Sequence, residues 1–386
     1  MKPLRLVALL LIFASVLSSC KKDSPDPKTT PEITGILTGK VVSPNNRTPI
    51  RHALVFIATD SQVYSTYTDT EGNFSLTAAE GNHDLHVQTG HGDKFRTIIP
   101  VNIIANQTTA LSDLVRLNLV ANFAYLAGSF DKIESILIDS LGYNAQALNQ
   151  YSIQNIAGLV NYDAVFINCG SYNTFVSTNT DTALANFVAA GGSLYVSDFS
   201  MNFLTGLNAL TDCQVPRYNG FIPDATVCSR RIGTSSVVPQ ANIVSQDLQS
   251  YLGKTNMSVS YNLGGWERIQ QIDNSFWETL VTDPADNSPL LIRTNQYTNT
   301  NNVPQVVGCN DTTMVTVCHQ LSNGNTLTLT INANALPAHL AHGDTEGPCN
   351  NPNNSGWIYF TTFHNEHNGL ISEDVKHILE YMILNL

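Results

Sequence analysis

The sequence predicts a multidomain chain: a small all-β unit, then a larger α/β unit built on a parallel sheet and carrying a disulfide-stapled insertion. Three observations predict it. Between Ile33 and Asn118 apolar residues alternate in short runs punctuated by Gly, Pro and Asn turns, which is the period of strands. From Asn122 apolar runs alternate with stretches of helical spacing, as parallel strands joined by crossover helices require. Near the end, Cys318 and Cys349 bracket a short polar module too small to build much core of its own.

At the start of the chain, Lys2 and Arg5 precede an apolar run from Leu6 to Leu17, closed by Ser18-Ser19-Cys20. The run is shorter than a bilayer core of roughly 30 Å requires, so cleavage fits better than a retained anchor. The segment resembles a bacterial lipoprotein signal. That resemblance implies removal of residues 1–19, lipid on Cys20, and attachment through the lipid to a membrane of the cell envelope, the outer membrane or cell surface. An ordinary secreted protein with an incidental Cys20 is the alternative. Residues 20–32 are expected to be a flexible tether, because Lys21 to Pro31 contains no large apolar residue.

Composition narrows the partners. The formal charge is -12 and only 19 residues are Lys or Arg, with no basic stripe. Nucleic acid is excluded as a partner, because phosphate binding needs clustered cations.

The all-β unit spans 33–118. Gly35 to Val42 is expected as an edge strand, Pro44 to Pro49 as a turn and Ala53 to Ala58 as a buried strand. Tyr64 to Thr68 and Asn73 to Thr77 flank the turn Asp69-Thr-Glu-Gly72, where Gly72 supplies a positive φ, and Asp84 to Gln88 is another strand. His83 and His91 flank that strand and are expected in wet loops. Gly39, Pro49-Ile50, Ala53-Leu54-Val55 and Thr68-Asp69-x-x-Gly72-x-Phe74 together resemble the carboxypeptidase regulatory-like domain. The resemblance implies a small antiparallel, transthyretin-like β-sandwich of the carbohydrate-binding-like group, serving as a module or spacer.

The α/β unit spans 122–386, with the insertion at about 309–350. Strands are expected at Phe123 to Ala127, Asn144 to Leu148, Ala164 to Asn168 and Ser193 to Ser197. Helices are expected at Lys132 to Leu141, with Ile133, Ile136, Leu137 and Leu141 on one face and Gly142 as the stop, at Ser152 to Val160, and at Thr182 to Ala190 before Gly191-Gly192. The last helix, Asp374 to Leu384, places Val375, Ile378, Leu379 and Met382 on the face that covers the sheet. A further strand runs into Phe363-His364-Asn365-Glu366.

That order resembles the class I glutamine amidotransferase-like fold, a flavodoxin-like arrangement, and implies that His364 and Glu366 match the family's catalytic His and Glu. The family's nucleophile cysteine follows the strand after the Gly-Gly stop. Here that place reads Ser197-Asp198-Phe199-Ser200, without cysteine or flanking glycine. Two readings stay open. A hydrolase would use Ser197 or Asp198 with His364 as base and Glu366 orienting it. A non-catalytic crevice would gather Asn168, Asp198 and His364 on a polyol or a metal. The sequence favours non-catalytic binding of carbohydrate or another polar ligand at the cell surface, with a structural scaffold as a third possibility. Cys169 is expected to be buried or disulfide-bonded rather than reactive.

Cys213 with Cys228 and Cys318 with Cys349 are the expected disulfides, on short loop closure in an oxidising compartment. In the insertion, His339 and His342 lie three apart and would share a helical face, with His319 and Asp344 nearby as further ligands of a tetrahedral metal site. The competing account is a stapled module whose histidines hydrogen-bond locally. No cofactor is expected, and the stapled module is favoured over a structural metal. Trp266 is either a sugar-stacking platform or packing.

Overall fold

A computed structural model describes residues 33–386 apart from 60–61, 172–176, 208–217, 224–225, 297–312, 321–325, 342, 348, 350–355 and 366–371. Among the described residues the protein is mostly β, with several sheets and some helices.

The first strands are β1 (Thr34–Val42), β2 (Leu54–Ala58), β3 (Val63–Tyr67), β4 (Asn73–Ala79), β5 (Gly81–Thr89), β6 (Phe95–Ile103), β7 (Thr108–Ala110) and β8 (Val115–Arg116). They form two four-stranded sheets: β4-β1-β7 with β8 also on β1, and β3-β2-β5-β6. The alternation works as expected in β4, where Phe74, Leu76 and Ala78 are buried between exposed neighbours. One expectation is corrected. β1 is interior to its sheet, because β4 pairs with one side and the short parallel strands β7 and β8 take the other. β3 pairs with β2 and β4 with β1, so the Asp69–Gly72 turn carries the chain from one sheet to the other.

That corner is tightly made. Asp69 Oδ1 accepts from the backbone N–H groups of Glu71 (2.9 Å) and Asn73 (2.8 Å), and Val41 N–H donates to the carbonyl of Gly72 (2.8 Å). Gly72 has φ +78°, and a Cβ there would stand 2.4 Å from the Val41 carbonyl oxygen, so glycine is required on both counts. Both sheets contribute to one hydrophobic cluster, through Leu37, Val41, Phe74 and Leu76 from one and Val55, Ile57, Leu85 and Val87 from the other. The same cluster continues into Phe123, Ile133 and Tyr381, so apolar packing is unbroken across the start of the second region.

The second region begins with β9 (Phe123–Leu126), β10 (Gln146–Leu148), β11 (Ala164–Ile167), helix α1 (Thr178–Ala189), β12 (Ser193–Ser197) and the single helical turn α2 (Asn202–Thr205). Next come a two-residue pair, β13 (Gly206–Leu207) with β14 (Tyr218–Asn219), then β15 (Val227–Gly233), β16 (Ser236–Ile243), α3 (Gln246–Leu252), β17 (Asn256–Tyr261), β18 (Trp266–Ile272), β19 (Glu278–Thr282) and β20 (Pro289–Thr294). The stapled module supplies β21 (Met314–Gln320), β22 (Thr326–Asn332), α4 (Leu336–Ala341) and β23 (Thr345–Glu346), and the chain closes with β24 (Ile358–Thr361) and α5 (Glu373–Leu384).

One nine-stranded sheet runs β10-β9-β11-β12-β24-β20-β19-β16-β17. Its first five strands are mutually parallel, and from β24 to β17 every pairing is antiparallel. Numbered along the chain, the parallel strands have the order 2-1-3-4-5, a doubly wound order that opens a ligand crevice at the strand C-termini. The antiparallel half goes beyond the purely parallel sheet expected from sequence. α5 buries Val375, Ile378, Leu379 and Met382, the face expected to cover the sheet.

Two expected helices take tighter or wider forms. Lys132 to Leu141 keeps its apolar face buried, yet Ser135–Ser140 is a π-turn in which Leu141 N–H bonds the Ile136 carbonyl and Gly142, at φ +77°, ends it. Ser152 to Val160 is a pair of 3₁₀ turns, Ser152–Gln154 and Ile156–Gly158. Trp266 is packing: it is buried and stacked on Tyr261 at 3.9 Å between ring centroids.

Cys318 and Cys349 are joined by a disulfide. The stapled module does not sit on the α/β sheet alone. Val317, Leu329 and Ile331 pack against Leu54 and Phe56 of β2. The Gln88 side chain donates to the Thr328 carbonyl (2.8 Å) and accepts from Thr330 N–H (3.0 Å), so it pairs with the free edge of β22.

Candidate functional site

Four adjacent parallel strands deliver their C-terminal ends to one buried spot. Asp131 follows β9, Asn168 and Cys169 follow β11, Ser197 and Asp198 end β12, and His364 follows β24. Asp198 is the turning point. It has φ +43°, a left-handed conformation uncommon for a residue with a side chain, and it joins the strand directly to a 3₁₀ turn at Asp198–Met201 and then α2. The sharp strand-to-helix turn is thus made at an aspartate, with no flanking glycine.

The side chains meet around Asp198. Cys169 Sγ lies 3.6 Å from Asp198 Oδ2, and His364 Nδ1 lies 3.7 Å from the same oxygen. Asp198 Oδ1 accepts from the backbone N–H of Glu267 (2.6 Å), and Glu267 is held by Ser229 Oγ (2.9 Å) and Arg231 Nε (3.0 Å). Arg231 also lies over the Phe199 ring, 4.1 Å from its centroid, which clamps the residue after the elbow. Ser197 faces the other way. Its hydroxyl donates to Asp131 Oδ2 (2.5 Å) and accepts from Cys169 N–H (2.8 Å), while Asp131 Oδ1 accepts from Lys132 N–H (2.7 Å) and Asn365 N–H (3.0 Å).

Burial sets the protonation states. Asp198 and Cys169 are 0% exposed and His364 8%. Desolvation pushes the Asp198 carboxyl well above the usual carboxylate range, with the Glu267 charge adding to it against the Glu267 N–H bond. Desolvation, reinforced by Asp198, also pushes the Cys169 thiol up, and it lowers His364 to about 4. Asp131 is raised to about 7 by burial, against the hydrogen bonds from Ser197, Lys132 and Asn365. At neutral pH His364 is therefore an uncharged imidazole, so its 3.7 Å approach to Asp198 is not an ion pair. Neither of its ring nitrogens, both without solvent exposure, has a hydrogen-bond partner among the described residues.

This arrangement suits binding better than nucleophilic attack. The thiol is the un-ionised, unreactive form, and the serine hydroxyl is committed to Asp131 rather than to the histidine. Of the residues singled out in the sequence, the structure brings together Cys169, Asp198 and His364, with Ser197 adjoining but turned away. Glu366, Cys20, Cys213 and His342 lie outside the described residues. Cys228 is disulfide-bonded, while Cys169 is free and buried. Asp131 and Glu267 were missed. Asp131 carries a signal, an acidic residue just past a parallel strand, whereas Glu267 arrives from a distant antiparallel strand and carries none.

A second cluster lies beside the staple. His319 and His339 place Nδ1 at 2.8 Å and 2.7 Å from Asp344 Oδ2, and Gln320 N–H donates to Asp344 Oδ1 (3.0 Å). Burial works to raise Asp344, but those hydrogen bonds outweigh it and hold the carboxyl below its ordinary value. The carboxylate therefore accepts a proton-bearing Nδ1 from each histidine, and the three groups satisfy one another.

At the opposite end of the parallel strands, an open cleft of about 980 Å³ lies where the chain passes from the first sheets to the second region. Asn118, Asn122, Asn144, Gln146 and Asn161 line it with exposed side-chain amides, around the half-buried Tyr162 ring.

No protein-family model matches the chain, and no curated protein is similar to it. Among solved structures, the mmIFT52 N-terminal domain aligns with a TM-score of 0.38 and 10% identity, covering 69% of this chain and 98% of that one. A ThuA-like protein from Bacteroides uniformis ATCC 8492 aligns with a TM-score of 0.31 and 10% identity, covering 47% and 81%. At these scores neither likeness carries an argument about function.

Proposed function

We propose that this chain is a lipid-anchored protein of the cell envelope that binds a carbohydrate or similarly polar polymer without catalysing its turnover. In this reading residues 1–19 are a cleaved signal and Cys20 bears the lipid. Residues 20–32 are the tether, 33–118 a carboxypeptidase regulatory-like β-sandwich, and 122–386 an amidotransferase-like α/β domain without its nucleophile. The observation that carries the binding reading is the amide-lined cleft. Planar amides that both donate and accept match the vicinal hydroxyls of a sugar, and an aromatic ring beside them offers a stacking face. The test is calorimetric titration of the full mature chain with a panel of soluble polysaccharides. Asn144→Ala with Asn161→Ala should weaken binding at least about tenfold, and His364→Gln should leave it unchanged. Binding unaffected by the cleft variants would sink the reading, and no binding by any glycan would favour a scaffold.

The hydrolase reading keeps one supporting observation, the positive-φ elbow at Asp198 with His364 beside it. It requires ester, amide or glycoside cleavage that disappears in Asp198→Asn, and we expect no such activity.

A further inference from the structure

We propose that Cys169, Asp198 and His364 form a binding site for a divalent transition metal ion of zinc type, separate from the sugar-binding cleft. Sγ of Cys169 and Nδ1 of His364 lie 3.6 Å and 3.7 Å from Asp198 Oδ2, and the three residues' ligand atoms all fall within 4.8 Å of one another. A tetrahedral ion bonded at about 2.3 Å to sulfur and about 2.0 Å to nitrogen and oxygen holds its ligand atoms roughly 3.3–3.6 Å apart, so little movement closes the shell. The His364 separation is longer than a nitrogen–oxygen hydrogen bond, as a bridging ion requires, whereas the Cys169 thiol donates to Asp198 Oδ2 until an ion displaces its proton. The His319–Asp344–His339 cluster differs, since both Nδ1 atoms are already paired with Asp344 Oδ2 at hydrogen-bond distances of 2.7–2.8 Å.

His364 is the second, independent observation. It is 8% exposed, and neither ring nitrogen has a hydrogen-bond partner among the described residues. A buried imidazole is seldom left so, and a metal ion takes up the one ring lone pair that the neutral form offers. The donor set also has a chemistry of its own, because thiolate with imidazole and carboxylate favours zinc over the hard cations. Asp198 Oδ1 is fixed by the Glu267 N–H, which aims Oδ2 at the other two ligands. On binding, the Cys169 thiol proton and the proton that burial keeps on the Asp198 carboxyl both pass to solvent, and one thiolate with one carboxylate balances the ion's two positive charges, so the buried centre stays neutral. Three protein donors leave a fourth position for water or a ligand atom.

The test uses the full chain, chelator-treated and dialysed, then loaded with zinc or cobalt alone. One equivalent of metal should be retained, and the cobalt form should show a thiolate-to-metal charge-transfer band. Cys169→Ser should abolish the band, His364→Gln should weaken retention at least about tenfold, and the double variant His319→Gln/His339→Gln should change neither. No retained metal, retention unchanged in Cys169→Ser, or loss in the histidine double variant would each overturn the proposal. If Cys169→Ser does not fold, X-ray absorption of the zinc-loaded wild type decides: a single sulfur in a mixed shell supports the site, and a shell of nitrogen and oxygen alone overturns it.

Discussion

Replacing Gln88 by alanine should loosen the stapled module from the first sheets. Gln88 is 1% exposed and Thr330 is 3%, so the two hydrogen bonds between the Gln88 amide and β22 are shielded from water. Truncation leaves the Thr330 N–H buried without a partner, at a cost of about 1–3 kcal/mol. The Thr328 carbonyl belongs to a half-buried residue and can recover water, so its loss adds less, and the total is about 2–4 kcal/mol. Gln88→Glu separates hydrogen bonding from packing. It keeps an acceptor for Thr330 N–H but turns a second carboxylate oxygen toward the Thr328 carbonyl, so it should be destabilised at pH 7 and should recover as the carboxylate protonates. Urea unfolding supplies the magnitude, and amide exchange at Leu329 and Thr330 supplies the place. If Gln88→Ala changes stability by under about 0.5 kcal/mol and β22 exchange is unaltered, the seam is not held by this side chain and the reasoning fails.

Other consequences are as direct. Cys318→Ala with Cys349→Ala opens a loop of sequence separation 31, which the chain-entropy relation values at about 4 kcal/mol; a loss under about 1 kcal/mol in urea unfolding would refute a structural role for the staple. Asp131 makes a pH prediction. Its folded carboxyl titrates at about 7, above the ordinary value of 3.8, so the folded chain holds a proton that the unfolded chain releases between those limits. Its contribution is therefore most favourable at low pH and is lost as pH rises through 7, by up to about 4 kcal/mol. Asp131→Asn should remove that slope, and a wild-type minus variant difference that stays constant from pH 4 to 7 would refute the assignment.

Legibility in the sequence followed the range of the interactions. β12 matches its expected bounds, and β9 and β11 end one residue earlier than expected, because a run of buried apolar residues is a local property. The π-turn at Ser135–Ser140 and the paired 3₁₀ turns kept the expected burial but not the expected hydrogen bonding, since the same apolar stripe serves several helical pitches. β1 looked like an edge because its second-side partners are only three and two residues long, too short to carry a period. The antiparallel strands that widen the main sheet also escaped, as their pairing depends on where β24 lies rather than on their own pattern.

The candidate site divides the same way. That His364 and Asp198 each follow a strand is readable from local residue order, because strand ends are marked by where apolar runs stop. Only the tertiary structure decided that Cys169 and His364 converge on Asp198, that Ser197 is turned to Asp131, and that the stapled module docks on β2. Protonation and hydrogen-bond partnership depend on burial and on distances of a few ångströms between residues far apart in the chain, and a one-dimensional pattern specifies neither.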